Sequence, residues 1–341
     1  MHMADALLSP QVGGVMLAAS AAAIGFSLKK TARDSESGLV DEKKIPLMGI
    51  MGAFVFAGQM INFTIPGTGS SGHIGGGILL AALLGPAGAL ITLASVLLIQ
   101  CLFFADGGLL AYGCNVFNMG VTSCIITYSL IYKPIVSKGL SKKSITVASI
   151  LAVTAGLLAG SFFVVLETLI SGVTELPFGT FVALMLPIHL AIGLVEGIVT
   201  AAVLCFVYSA RPEILDSTIH NKKIVRTLPV KKVLIVFAVL TVLVAGGLSI
   251  FASAYPDGLE WSMEKTAGTT ELERDGAAYT AAADIVEKTA FMPDYGFKNS
   301  NEDSANIGTA SAGIIGSIIT LVLAGGIGFI IYGVRKRKEK A

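Results

Sequence analysis

The stretch Ile74-Gly75-Gly76-Gly77-Ile78-Leu79-Leu80-Ala81-Ala82-Leu83-Leu84-Gly85-Pro86-Ala87 continues without a charge to Phe104, and its reading decides the fold. Gly85-Pro86 interrupts it. Proline lacks the backbone donor a helix interior needs and clashes with the preceding turn, so the run reads as two segments joined by a tight bend. The first, about Gly75 to Leu84, is too short to cross a bilayer unless other helices shelter it. Whether the chain turns back at the bend fixes the side on which every later loop lies.

Working outward, apolar spans lie at about Val12–Leu28 and Pro46–Phe63 on one side. On the other they lie at about Leu110–Tyr132, Ile145–Ile170, Phe181–Tyr208, Val233–Ala254 and Ile314–Tyr332. With the two halves of the bent run this makes about nine membrane segments. Lys and Arg are favoured in cytoplasmic loops. With the N-terminus outside and the bend at the inner face, the loops at 29–44, 133–143, 211–232 and 335–340 are all cytoplasmic, and they hold 20 of the 24 Lys and Arg. The other four, Lys265, Arg274, Lys288 and Lys298, sit in a long outer region among eleven Asp and Glu. A single helix over 74–104 would invert the later loops and break that bias. The expected fold is all-α, a polytopic bundle of the cell membrane with its N-terminus outside and its C-terminus inside.

Composition agrees. Of 341 residues 54% are hydrophobic and only 14% charged, with mean hydropathy +0.78; soluble chains carry about 25% charged residues. The runs are continuous rather than alternating, which argues against a β-barrel. A net charge of +1 gives no reason to expect a nucleic-acid partner. Cys101, Cys114, Cys124 and Cys205 lie in apolar segments without C-x-x-C spacing and read as packing residues. No Lys or Arg precedes the first apolar run, so the start does not resemble a cleaved signal peptide. His2 is too large for initiator-Met removal, so Met1 is expected to stay.

That matters for Met1-His2. A free α-amino nitrogen, the first peptide nitrogen and the His2 ring can close fused five- and six-membered chelate rings around one ion. The fourth corner of the plane is left open, and His73 in the loop Gly67-Thr68-Gly69-Ser70-Ser71-Gly72-His73 could fill it; the topology puts both on the outer side. Nitrogen donors in a plane suit Ni(II) or Cu(II), and Co(II) less decisively, whereas zinc prefers a tetrahedron. The glycines around His73 permit close backbone approach.

Polar residues inside apolar spans are costly and face a cavity or a partner. Gln59, Asn62, Asn115, Asn118, Glu167, His189 and Glu196 stand out. Asp106, Asn115 and Asn118, near outer ends of their spans, and Gln59 are candidates for orienting an imidazole. His189 and Glu196, seven apart on one helical face, could be a proton relay, a second metal station or a contact between helices, the last being the reading adopted. No G-x-S-x-G or H-E-x-x-H points to an enzyme, and no phosphate-binding loop points to an ATPase. Region 255–310 reads either as a poorly ordered loop or as an element capping the metal approach.

Over about residues 1–210 the chain resembles the nickel/cobalt M components of energy-coupling-factor transporters. The resemblance is carried by Met1-His2, Ser70-Ser71-Gly72-His73-Ile74-Gly75-Gly76, Leu84-Gly85-Pro86, Gln100, Phe104-Ala105-Asp106-Gly107-Gly108, Asn115-Val116-Phe117-Asn118-Met119-Gly120 and His189 through Glu196-Gly197. Met3-Ala4-Asp5 departs from the usual third to fifth residues but leaves the donor pair intact. About 231–341 is similar to the small N component, with Pro256-Asp257-Gly258-Leu259-Glu260 in its outer loop. The resemblance implies a fused M–N chain with a cytoplasmic connector at 211–230. It implies an ion held by the Met1 amine, the His2 amide and ring, and His73. It also implies a transmembrane coupling subunit and cytoplasmic ATPase partners. The expectation is then the metal-capturing subunit of an ATP-driven importer, with Ni(II) or Co(II) as transported substrate and no organic cofactor. Nickel is preferred; the alternatives are a cobalt importer serving cobalamin synthesis and a membrane scaffold or sensor that transports nothing.

Overall fold

Gly85 stands at φ +82°, ending one helix and opening the next, and Pro86 is the first residue of the second, where its missing N–H costs nothing. The bend therefore exists in this computed structural model, which describes residues 1–36, 44–220, 231–298 and 305–338. Parts of the basic loops at 29–44, 211–232 and 335–340, and of the outer region, lie outside the described residues.

The helices are α1 (Pro10–Glu36), α2 (Lys44–Gln59), α3 (Gly77–Leu84), α4 (Pro86–Phe104), α5 (Tyr112–Val136), α6 (Lys142–Ser171) and α7 (Phe178–Ala210). They are followed by α8 (Pro212–Ile219), α9 (Lys231–Gly246), α10 (Gly258–Ala267), α11 (Ala277–Thr289) and α12 (Ala305–Lys338). Every expected apolar segment falls on one of them. Among the described residues six helices, α1, α4, α5, α6, α7 and α12, are long and apolar enough to cross a membrane, and the protein is a polytopic helical membrane protein. The shorter α2, α3 and α9 carry the other three segments. All eight residues of α3 are buried, so its neighbours shelter it as its length demands. Val15, Phe26, Ile170, Ile198, Val242 and Phe329 turn outward, as side chains facing lipid do.

Two features depart from an all-helical reading. Phe63–Ile65 (β1) and Ser70–Gly72 (β2) form an antiparallel ribbon with Phe63 opposite Gly72 and Ile65 opposite Ser70. Its turn uses Gly67 and Gly69 at φ +78° and +75°, backbone that glycine adopts without penalty. Second, the described part of region 255–310 is built rather than loose: α10 packs on α7 and against β2 and α11 packs on α4, while α9 and α12 on either side pack on α2. The tail thus closes over the same end of the bundle that carries the ribbon.

Candidate metal centre

The first three residues lie within the bundle rather than trailing from it, Met1 and Met3 buried and His2 half-buried. Met1 is 5% exposed and Met3 is fully buried. Asn115 Oδ1 accepts the Met3 N–H at 2.7 Å, and its Nδ2 donates to the Met3 carbonyl at 3.2 Å. The Gly108 N–H donates to the same carbonyl at 2.9 Å. Asp5 Oδ1 accepts the Ala111 N–H at 2.9 Å. The segment needs glycine to lie there. A Cβ on Gly108 would overlap Asp5, and one on Gly107 would sit 2.9 Å from Asn115 Nδ2 and 3.4 Å from His2 Cβ. Asp106-Gly107-Gly108 is therefore the saddle over which the N-terminus passes.

β2 delivers His73 to the same place. Asp257, the N-cap of α10, pairs with the Met1 ammonium through Oδ2 while its Oδ1 accepts from the Leu259 and Glu260 N–H groups at 2.8 and 3.0 Å. Glu260 closes the capping box by accepting the Asp257 N–H at 3.0 Å. Ser71 N–H donates to the Pro256 carbonyl at 2.8 Å and Ser71 Oγ to the Tyr255 carbonyl at 2.7 Å, so tail and ribbon are joined at the donor loop.

The Met1 nitrogen lies 3.1 Å from His73 Nε2. Two nitrogens about 2.1 Å from one ion at a right angle stand about 3.0 Å apart, so this separation fits adjacent corners of a square plane. His73 Nδ1 donates to the Ile74 carbonyl at 3.2 Å, which leaves the Nε2 lone pair directed at Met1. The His2 and His73 rings stack with centroids 5.2 Å apart. Burial first, then the terminal ammonium, lower both imidazoles to about 3, so both rings are neutral at neutral pH. His2 Nδ1 lies 3.2 Å from Asp106 Oδ1. With His2 neutral that contact is not an ion pair. Tyr295 donates its hydroxyl to Asp106 Oδ2, and burial raises Asp106 against that bond. Burial would also raise Asp257, but the ammonium beside it and the bond between them hold it below the usual carboxylate range. Among the described residues no three His, Cys, Asp or Glu side chains converge as ligands, so any chelate here depends on the backbone nitrogens of the terminus.

Gln59 acts through a relay. Its Nε2 donates to the Gly75 carbonyl at 2.9 Å, and its Oε1 accepts from Gln100 Nε2 at 2.7 Å. That fixes the Gln100 amide beside the His2 ring, where Gln100 Oε1 and His2 Nε2 are both buried without a hydrogen bond of their own. A Gln100 carbonyl turned to Nε2 would favour the His2 tautomer that keeps its lone pair on Nδ1. Asn115 clamps the Met3 backbone instead of orienting an imidazole. Asn118 donates to Glu167 Oε2 at 2.7 Å. Glu196 Oε1 accepts the Gly76 N–H at 2.9 Å, a contact between α7 and the start of α3, whereas His189 Nδ1 bonds the Met185 carbonyl of its own helix at 2.8 Å.

Asp257, Tyr295 and the relay role of Gln100 escaped sequence reasoning, although Asp257 followed by Glu260 is a readable helix start. A vestibule of ≈ 660 Å³ between bundle and tail leads to His2 and His73, lined by Asp106, Asp257, Glu260, Glu271 and Asp294. Such a wall favours cations.

Residues 2–214 match the family described as the cobalt uptake substrate-specific transmembrane region, and residues 231–333 match the PDGLE domain. The "Putative fused nickel transport protein NikMN" of Archaeoglobus fulgidus is 31% identical over 95% of this chain and 96% of its own length. The "Fused nickel transport protein NikMN" of Rhodobacter capsulatus is 31% identical over 63% of this chain and 64% of its own. A crystal structure of a truncated transition metal transporter superposes with TM-score 0.53 at 32% identity, covering 62% of this chain and 99% of that one. Bundle, buried terminus and capping tail together place this chain in the cobalt-uptake substrate-specific transmembrane family, with a PDGLE domain joined to it.

Proposed function

We propose that this chain is the substrate-specific subunit of an ATP-driven nickel or cobalt importer. The Met1 amine, the His2 amide, His2 Nδ1 and His73 Nε2 capture the divalent ion at the outer face. Residues 1–210 act as the capturing unit, 211–230 as a cytoplasmic connector, and 231–341 as the tail that caps the site. A transmembrane coupling subunit and cytoplasmic ATPases drive inward delivery. The observation that carries this reading is the unprotonated His73 Nε2 held 3.1 Å from the chain's own terminal nitrogen.

Nickel is favoured, because an all-nitrogen plane suits its electron count, and two relatives are named for nickel transport. The family description, cobalt uptake, supports cobalt as the second reading, with delivery to cobalamin synthesis.

The test is competitive Ni(II)/Co(II) binding to the purified full chain, with its native start and with one glycine added before Met1. The native chain should bind one ion tightly with a planar spectrum and the extended chain should not. Equal binding by both would end this reading.

A further inference from the structure

Among the described residues, three other than glycine have backbone at positive φ: Ala105 at +56°, Asp294 at +49° and Tyr295 at +59°. Residues with a Cβ rarely adopt that conformation. It persists where the surroundings hold it, and such positions gather at binding sites. All three flank a single contact. Ala105 leads the chain off the end of α4 into Asp106, while Asp294 and Tyr295 form the turn that presents the tail's phenol, whose hydroxyl donates to Asp106 Oδ2. The Tyr295 ring stacks on Phe104 with centroids 5.1 Å apart. The Met292 N–H donates to the Phe103 carbonyl at 3.3 Å. Tail and α4 are thus pinned together at the saddle.

The phenol leaves the other carboxyl oxygen of Asp106 available. Asp106 Oδ1 lies 3.2 Å from His2 Nδ1, the ring nitrogen that closes the six-membered chelate. Two donors about 2.1 Å from one ion at a right angle stand about 3.0 Å apart, so an ion at Nδ1 has this oxygen within reach. The two groups differ in access. The His2 side chain is 8% exposed and the Asp106 side chain 24%. Both border the vestibule, so an ion crossing it meets the carboxylate before the imidazole. A carboxylate can take a divalent ion that still carries most of its water.

We propose that Asp106 Oδ1 is an entry ligand, the oxygen that takes the arriving divalent ion and passes it to His2 Nδ1, with Tyr295 of the tail as the residue that positions it; this rests on the reading of the four nitrogens as the capture site. Holding the ion beside Nδ1 turns closure of the chelate into a step within one complex rather than a second encounter. Once the plane has formed, a d8 ion has little use for a fifth donor, and the carboxylate lets go. Tyr295 touches no ion; its hydroxyl occupies Oδ2, so that Oδ1 is the oxygen left facing the donor.

The experiment mixes the purified full chain, with its native start, with Ni(II) in a stopped-flow cell and follows growth of the planar absorption band. D106N should slow entry at least about tenfold, and Y295F, which keeps the ring on Phe104, about threefold. Release into a chelator should slow by matching factors, because a group the ion touches only in passing lowers the barrier in both directions. A brace that merely held the site together would instead show as faster release at an unchanged entry rate, and that result overturns the proposal. The slowing should persist in 1 M salt, where exposed charges more than about 3 Å apart are screened. Slowing that salt abolishes is long-range attraction and overturns it as well. So does a five-coordinate Ni(II) that turns planar only in D106N, since Asp106 would then be a standing ligand. Slowing in D106N with none in Y295F overturns the role of Tyr295. If D106N does not fold, Y295F decides alone. A native chain that never shows the planar band fails the capture reading and the entry ligand with it, whereas planar binding at unaltered rates in both variants fails the entry ligand only.

Discussion

The Met1 nitrogen and His73 Nε2 lie 3.1 Å apart across 72 positions of sequence. This is the separation of neighbouring corners in a planar site. Removing either side, by His73→Ala or by His2→Ala, should lower Ni(II) affinity on the order of 100-fold. Calorimetric titration of the purified chain checks this; stoichiometric tight binding in both variants would sink the chelate.

Capture should weaken as pH falls. His2 and His73, held near 3, carry no proton to release at neutral pH. The protons displaced on binding then come from the terminal amine and the His2 amide, about two per ion. Ion-linked proton release measured in buffers of different ionisation enthalpy decides the matter, and a value near zero contradicts the donor set. The same shifts act on the empty protein. Between their ordinary value of 6.5 and about 3 the unfolded chain binds protons that folded His2 and His73 refuse. Stability should therefore be fully present above 6.5 and fall as pH is lowered through that window. Thermal midpoints recorded across it should decline toward acid.

Gln100→Ala should lower metal affinity about 10- to 100-fold without unfolding the bundle, because it removes the carbonyl that selects the His2 tautomer. Gln59→Ala acts one bond further away and should cost less. If Gln59→Ala proves the more damaging, the relay runs otherwise than described.

Gly107→Ala puts a Cβ at φ +84°, 2.9 Å from Asn115 Nδ2. The backbone strain alone costs about 1–2 kcal/mol. Displacement of the Asn115 amide should also loosen Met3 and with it the donor end. A lowered melting temperature together with weakened Ni(II) binding is expected; a change in melting alone would separate the saddle from the site.

Asp257→Ala removes the N-cap of α10, worth about 0.5–2 kcal/mol, and the partner of the Met1 ammonium. Asp257→Asn restores a cap without the charge. Proteolysis of the tail should quicken in the first variant and much less in the second; equal protection in both would show that the cap is not what holds α10.

The bend at Gly85-Pro86 was legible because proline acts locally, and the apolar spans because a bilayer demands continuous runs. The ribbon was not: strands of three residues are too short for a period, and only the turn around Gly67 and Gly69 marked the place. Whether region 255–310 is loose or a built cap was not decided, because its helices are short and polar; they gain order by packing on α7 and α4, which composition does not report. The meeting of Met1 with His73 follows from chelate chemistry and topology. That Asn115 would grip Met3, one residue beyond the donors, depends on where α5 begins, and no spacing rule gives that.

Met1 meets a carboxylate 256 positions later in the chain. During synthesis the Asn115 grip on Met3 can form long before residue 257 leaves the ribosome. The amine therefore waits without its counter-charge, and the pocket acquires its roof last. A ribosome-stalled or truncated product lacks that roof, so assembly of the finished site reports that translation has run past the tail.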